Sequence, residues 1–193
     1  MSRDVVLEGA DRPFSVEITD ALSAHYLCIA GVLGERPVAL IVNRSAALIP
    51  TAFEAVTDDA FDAALEDGVL GVFDLIQDWV PRLADGAAIV VVMSRAYLGA
   101  WGAAPEAAAS AALAGLCRTL ALELAPRGIR VNLAAADFAD VYASDPVGRI
   151  RVAEAVAWLA SDRSGAISGQ VVLLDQGRGL QMREAQLRDL SVG

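Results

Sequence analysis

Hydrophobic positions along the chain fall into two kinds of run that alternate. Short, mostly apolar stretches occur at residues 5–7, 38–42, 88–92, 129–133 and 171–174, rich in valine and isoleucine. Such runs suit strands buried on both faces of a parallel sheet. Between them, apolar residues recur at helical spacing. Leu22, Tyr26, Ile29 and Leu33 predict a helix over 20–33. Thr57, Asp58 and Asp59 make a cap for a helix region over 57–84, with Val69, Val72, Phe73, Ile76 and Val80 on one apolar face. The longest helix begins at Ala104, where Pro105 suits a first turn, and is stopped by Pro126 and Gly128. Leu113, Leu116, Leu120 and Leu124 give it a core stripe. Ala107, Ala111 and Gly115 give it a small-residue seam that another helix could approach closely. A last helix is predicted over 149–161. Strands alternating with helices predict an α/β fold with a parallel sheet.

Composition narrows this picture. The 193 residues suit one domain over 1–177, followed by a charged tail over 178–193 in which Leu180, Leu187 and Leu190 offer a small docking face. The net charge of −10 argues against nucleic acid or an anionic membrane surface as the main partner. No apolar run reaches a membrane span and the first residues lack a signal-peptide core, so the expected location is cytoplasmic. Cys28 and Cys117 both fall in apolar segments predicted helical and read as packed thiols. His25, the single histidine, lies one residue off its helix face with no spaced partners, so no metal site is predicted.

The stretch LAGLCRTLALELAPRGIRVN resembles the short-chain dehydrogenase/reductase family from its long fifth helix into its sixth strand. SDRSGAISGQVVLLDQG is similar to that family's C-terminal segment. Asn43-Arg44-Ser45-Ala46 resembles its Asn-Asn-Ala-Gly, and the helix over 57–84 its fourth helix. The resemblance implies a Rossmann-like, doubly wound parallel sheet in reduced form. Between the first apolar run and the Asn-Arg-Ser-Ala segment there is too little chain for the family's second and third strands. The expected order, in family numbering, is therefore 1-4-5-6-7, with the helix over 20–33 as the crossover from strand one to strand four. A competing register makes 38–42 the second strand, but the match to helix four then needs a gap.

Set on the family pattern, the chemistry is missing. The catalytic Tyr-x-x-x-Lys falls on Glu106 and Ser110, and all 15 basic residues of the chain are arginine. The family's helix-four asparagine, inside Asp-x-Asn, falls on Gly68 of Glu66-Asp67-Gly68. The glycine-rich first turn keeps Gly9, with Pro13 and Ser15 at the second and third glycines, where they add bulk beside a pyrophosphate. Ser94 alone matches a catalytic position, the active-site serine. Tyr97 lies nearby, but with no lysine to lower a pKa near 10 it is a poor acid–base at neutral pH.

The resemblance therefore implies a non-catalytic subunit. Its expected partner is a catalytic short-chain dehydrogenase in a heterodimer or heterotetramer, with NAD or NADP on that partner only and no cofactor on this chain. The family's two interfaces imply contacts through Ala107, Ala111, Gly115 and Leu116 on one side, and through Val171 and Leu173 on the other. Two alternatives stand beside it. One is a homo-oligomeric binding or scaffold protein. The other is an enzyme with rebuilt, NAD-independent chemistry around Ser94, Glu106 or Tyr97.

Overall fold

A computed structural model describes residues 4–9, 15–23, 27–28, 36–44, 49–136 and 146–177. Its centre is a parallel sheet in the order β2-β1-β3-β4-β5-β6. The strands are β1 (Asp4–Glu8), β2 (Leu27–Cys28), β3 (Ala39–Asn43), β4 (Ala88–Ser94), β5 (Arg130–Ala136) and β6 (Val171–Leu174). Every residue of β3 and β4 is buried, as their unbroken apolar runs require.

Helices cover both faces. On one side α1 (Ser15–Ser23) and α5 (Pro146–Ala160) pack Ile18, Leu22, Val156 and Leu159 onto the sheet. On the other lie α2 (Asp58–Leu65), α3 (Gly71–Trp79) and α4 (Ala104–Glu123), with Val72, Ile76, Leu113 and Cys117 in the core. Gly128, at φ +68°, ends the α4 region in the left-handed conformation that glycine adopts without strain. Its N–H donates to the Ala125 carbonyl, and Ile129 N–H donates to that of Leu124. Arg127 then donates to the Val80 and Leu83 carbonyls and to Asp85, fixing the entry to β5.

The expected reduced Rossmann-like sheet is present, its order 1-4-5-6-7 appearing as β1-β3-β4-β5-β6. β3 pairs with β1 through Val5↔Ala39 and with β4 through Ala39↔Ala88, which rejects the competing register.

Four expectations need correction. The helix over 20–33 is not continuous: α1 starts at Ser15 and ends at Ser23, and a two-residue strand follows at Leu27–Cys28, while 24–26 and 29–33 lie outside the described residues. Cys28 is thus in a strand, not a helix. Ile18 and Leu22, one turn apart, set the helix that packs. The free edge of β1 then recruits the next apolar residues, pairing Asp4 with Leu27 and Val5 with Cys28. The helix over 57–84 is broken by a π turn at Glu66–Leu70. On its far side Phe73 is exposed, while Trp79 joins Val72 and Ile76 in the core. In α4 the most buried line is Leu113, Cys117 and Ala121; Leu116, Leu120 and Leu124 are only half-buried. The last helix begins at Pro146, earlier than residue 149.

Pro13, His25, the 138–145 segment and the tail over 178–193 lie outside the described residues. Among the described residues, no helix is long and apolar enough to cross a membrane.

Candidate functional site

The C-terminal ends of the parallel strands gather the residues that the family pattern singles out. Gly9, directly after β1, has a φ of +80°, a conformation that glycine adopts without strain. Ser15, in the first turn of α1, is buried and its hydroxyl donates to the Gly9 carbonyl at 2.7 Å. Asn43, fully buried at the end of β3, donates from Nδ2 to Ser15 Oγ at 2.8 Å. The ends of β1 and β3 and the first turn of α1 are thus tied together.

Ser94 ends β4. Its hydroxyl accepts from Ala96 N–H at 3.1 Å and caps the Arg95–Leu98 turn, a local role that a serine at a strand end commonly takes. Tyr97 in that turn has its pKa raised by burial; Arg118 opposes the shift and Asp175 adds to it.

Glu106, Ser110 and Gly68 meet. Together with Arg44, Asp67 and Met93 they line a cavity of about 250 Å³ between the π turn and α4. The two glycines make the arrangement possible. A Cβ on Gly68 would stand 3.1 Å from Ala109 Cβ, so glycine there lets the π turn lie close to α4. A Cβ on Gly71 would meet Arg44 Nη2 at 2.6 Å, so glycine there leaves room for the guanidinium. Arg44 donates from Nη1 to Asp67 Oδ1 at 3.1 Å.

Burial raises the Glu106 pKa, the Ser110 hydrogen bond lowers it, and Asp67 raises it further. Glu106 also borders a second cavity, of about 410 Å³, against the 49–57 loop and α2. Arg44 and Asp67 were missed in reading the sequence. The available signal was an arginine directly after the buried strand-end Asn43, where an apolar run gives no reason for charge.

Of the expected interface residues, Ala111, Gly115 and Leu173 are exposed; Ala107, Leu116 and Val171 are half-buried. Gly115 has nothing within 4 Å of where a Cβ would be. Among the described residues, no cluster of three or more His, Cys, Asp or Glu side chains is placed to hold a metal.

A sequence profile described as "Enoyl-(Acyl carrier protein) reductase" matches residues 32–151, more than half of the chain. The chain belongs to the short-chain dehydrogenase/reductase family. Among its curated relatives, the 3-oxoacyl-[acyl-carrier-protein] reductase of Thermotoga maritima is 27% identical over 192 residues, covering 89% of this chain and 78% of that protein. The (2S)-[(R)-hydroxy(phenyl)methyl]succinyl-CoA dehydrogenase subunit BbsD of Thauera aromatica is 27% identical over 161 residues, covering 73% and 65%. An uncharacterized NAD-dependent oxidoreductase of Mycobacterium tuberculosis is 28% identical over 193 residues, covering 84% and 70%. Among solved structures, a short-chain dehydrogenase/reductase from Serratia marcescens superposes with a TM-score of 0.76 at 22% identity, covering 91% of this chain and 96% of that one. This last likeness bears on the fold alone.

These relatives correct the cofactor expectation. A family profile of reductases and a relative named as NAD-dependent overturn the reading that the nucleotide sits on a partner subunit only and that this chain has none. The described part of the first turn fits that correction. Gly9 takes the positive φ that such a turn needs, and the Ser15 side chain, at the third-glycine position, is buried against the Gly9 carbonyl at the head of α1.

Proposed function

We infer that this chain is a dinucleotide-holding subunit of an oxidoreductase assembly of the short-chain dehydrogenase/reductase family, without the family's acid–base pair. The observation that carries the reading is the pair at 106 and 110. Glutamate and serine stand where the pattern has tyrosine and lysine, in a chain that contains no lysine. Ser110 cannot supply the positive charge that keeps a tyrosine acidic near neutral pH.

Gly9, Ser15 at the head of α1, and Asn43 are the residues that would hold a nicotinamide dinucleotide. Bound, that cofactor donates or accepts hydride. This chain's own contribution is to bind and orient it. Asn43 braces Ser15, and Ser15 braces the turn at Gly9.

The partner is a catalytic subunit of the same family. Two apolar faces support this. On α3 and α4, Phe73, Ala111, Gly115 and Leu122 are exposed, Leu122 at 78%. Val147 and Ile150 are exposed on α5, and Leu173 of β6 is exposed on the α4 side of the sheet, because Val172 and Leu174 face α5. Large apolar side chains grouped on packed elements mark association surfaces. Their burial, at roughly 25 cal/mol per Å², would drive assembly.

Native mass spectrometry of the tagged chain from its own host tests the partner. A mixed dimer or tetramer with a lysine-containing dehydrogenase is expected; a pure homo-oligomer would overturn the subunit reading and leave a self-assembling protein. Titration of the purified chain with NADH and NADPH, followed by nucleotide fluorescence, tests the other half. Saturable binding of one of them is expected, and its absence would remove the dinucleotide role.

A further inference from the structure

We propose that the 410 Å³ cavity beside the start of α4 is a binding site for a small protonated amine with an apolar body, held at its ammonium end by Glu106. The site needs neither a partner subunit nor a nicotinamide nucleotide, so it stands apart from the function inferred above.

Its walls are preformed. Thr51 N–H donates to the Gly102 carbonyl at 2.9 Å, and a Cβ on Gly102, at φ +71°, would lie 2.9 Å from Pro50 Cβ. These contacts stitch the 49–57 loop to the turn that precedes α4. Thr57 caps α2 by accepting from Ala60 N–H, which fixes the third wall. The volume falls in the usual range for small-molecule pockets.

The lining is mostly apolar, from Ile49, Val56, Ala64, Ala103 and Pro105, with the hydroxyls of Thr51 and Thr57. Thr57 is committed to its cap, and the Thr51 hydroxyl donates to the Ile49 carbonyl at 3.3 Å. Among the described lining residues, Glu106 is the one ionisable group. Ile49 is 81% exposed, and Trp101, next in sequence to the lining Gly102, is 80% exposed. Apolar surface at a cavity edge favours a ligand with an apolar body.

Charge decides the other end of the ligand. Glu106 also faces Arg44 and Asp67 across the neighbouring cavity, where the two are paired. The arginine charge is therefore offset, and the acidic charge of Glu106 is not. Ser110 supplies one hydrogen bond, from the carboxylate's own helix. A carboxylate that loses hydration on burial regains it best from a cation brought by a ligand. An anion would meet Glu106 and Asp67 without a free cation among the lining residues.

The test is calorimetric titration of the whole chain with n-hexylamine, 1-hexanol and hexanoate at pH 7.5, with and without saturating NADH. Hexylamine is expected to bind roughly tenfold tighter than hexanol, the usual margin of a charge-assisted over a neutral hydrogen bond. Hexanoate should bind most weakly. Glu106→Gln should bring hexylamine to the level of hexanol and leave hexanol unchanged. Ala60→Phe, which fills the cavity from an exposed position on α2, should remove both. Because burial and Asp67 raise the Glu106 pKa, hexylamine affinity should rise with pH through that titration while hexanol affinity stays flat. Equal binding of amine and alcohol, preference for hexanoate, no binding of any probe, or an amine preference that survives Glu106→Gln would each overturn the proposal.

Discussion

Asn43 and Ser15 are joined side chain to side chain at 2.8 Å across 28 residues of chain, and Ser15 passes the bond on to Gly9 at 2.7 Å. The end of β3 thereby holds the first turn of α1 against the end of β1. Ser15→Ala removes both bonds in a buried place. It should lower stability by about 1–3 kcal/mol, read as a shift of the urea midpoint without a change in slope. Its NADH affinity should fall by more than that of an exposed α1 variant such as Ser23→Ala. Equal nucleotide affinity in the two variants would detach Ser15 from the turn's function.

Arg130 reaches from β5 to the C-terminal end of α5 and donates to the carbonyls of Leu159, Ser161 and Ser164 and to Ser164 Oγ. It is a cation at a helix C-terminus as well as a hydrogen-bond hub. Arg130→Met keeps much of the stem but leaves those acceptors without their donor. A loss of about 3 kcal/mol in urea unfolding is expected. A loss below about 1 kcal/mol would show that water replaces the guanidinium freely.

Burial pushes the Cys117 thiol up to about 12. In the unfolded chain a cysteine ionises near 8.5. The folded state therefore gains nothing from ionisation between those values, while the unfolded state does. Stability should be full below about pH 8.5 and fall by up to about 1.4 kcal/mol per pH unit as pH rises toward 12. Cys117→Ala should flatten that alkaline slope, at the expense of some neutral-pH stability from the lost volume. A thiol reagent should modify Cys117 only on the unfolding timescale.

Glu106 makes the opposite kind of test. Its raised pKa means that its contribution is full below the unfolded carboxyl value and is lost as pH rises through the folded one. Glu106→Gln should therefore be more stable than the natural chain at neutral pH, with the gap closing in acid. Thermal melts at pH 4 and pH 7.5 read the comparison. A gap that widens in acid would mean that the carboxylate is held by an attraction stronger than its desolvation.

Leu122 lies 78% exposed on α4, about two turns beyond the small-residue seam. Leu122→Glu should leave the melting of the isolated chain nearly unchanged, since exposed substitutions stay within about 0.5 kcal/mol. The same change should disperse whatever assembly forms through α3 and α4, seen as a lower mass by light scattering. An unchanged assembly would place the association surface on α5 instead.

The sheet was the legible part of this chain. Val38–Val42 and Ala88–Val92 could only be strands buried on both faces, and Pro105, Pro126 and Gly128 bracketed α4 closely. The segment after Ser23 was misread because Leu22, Tyr26, Ile29 and Leu33 do repeat at helical spacing. A two-residue strand such as Leu27–Cys28 has no period to detect; it exists because β1 offers an edge. At the site, family register placed Glu106, Ser110 and Gly68, yet their convergence on one cavity is a tertiary fact. It depends on the Gly68–Ala109 approach and on the room Gly71 leaves for Arg44.

The π turn at Glu66–Leu70 works as a phase change within one continuous run of helix. An added residue advances an α-helix by about 100°. α3 accordingly turns Val72, Ile76 and Trp79 into the sheet, whereas α2, before the turn, buries none of its residues fully and presents Ala64 to both cavities. A one-residue change of length in this segment would therefore act as a rotation. It would swing the cavity wall around its own axis and leave the anchored half of the helix where it is.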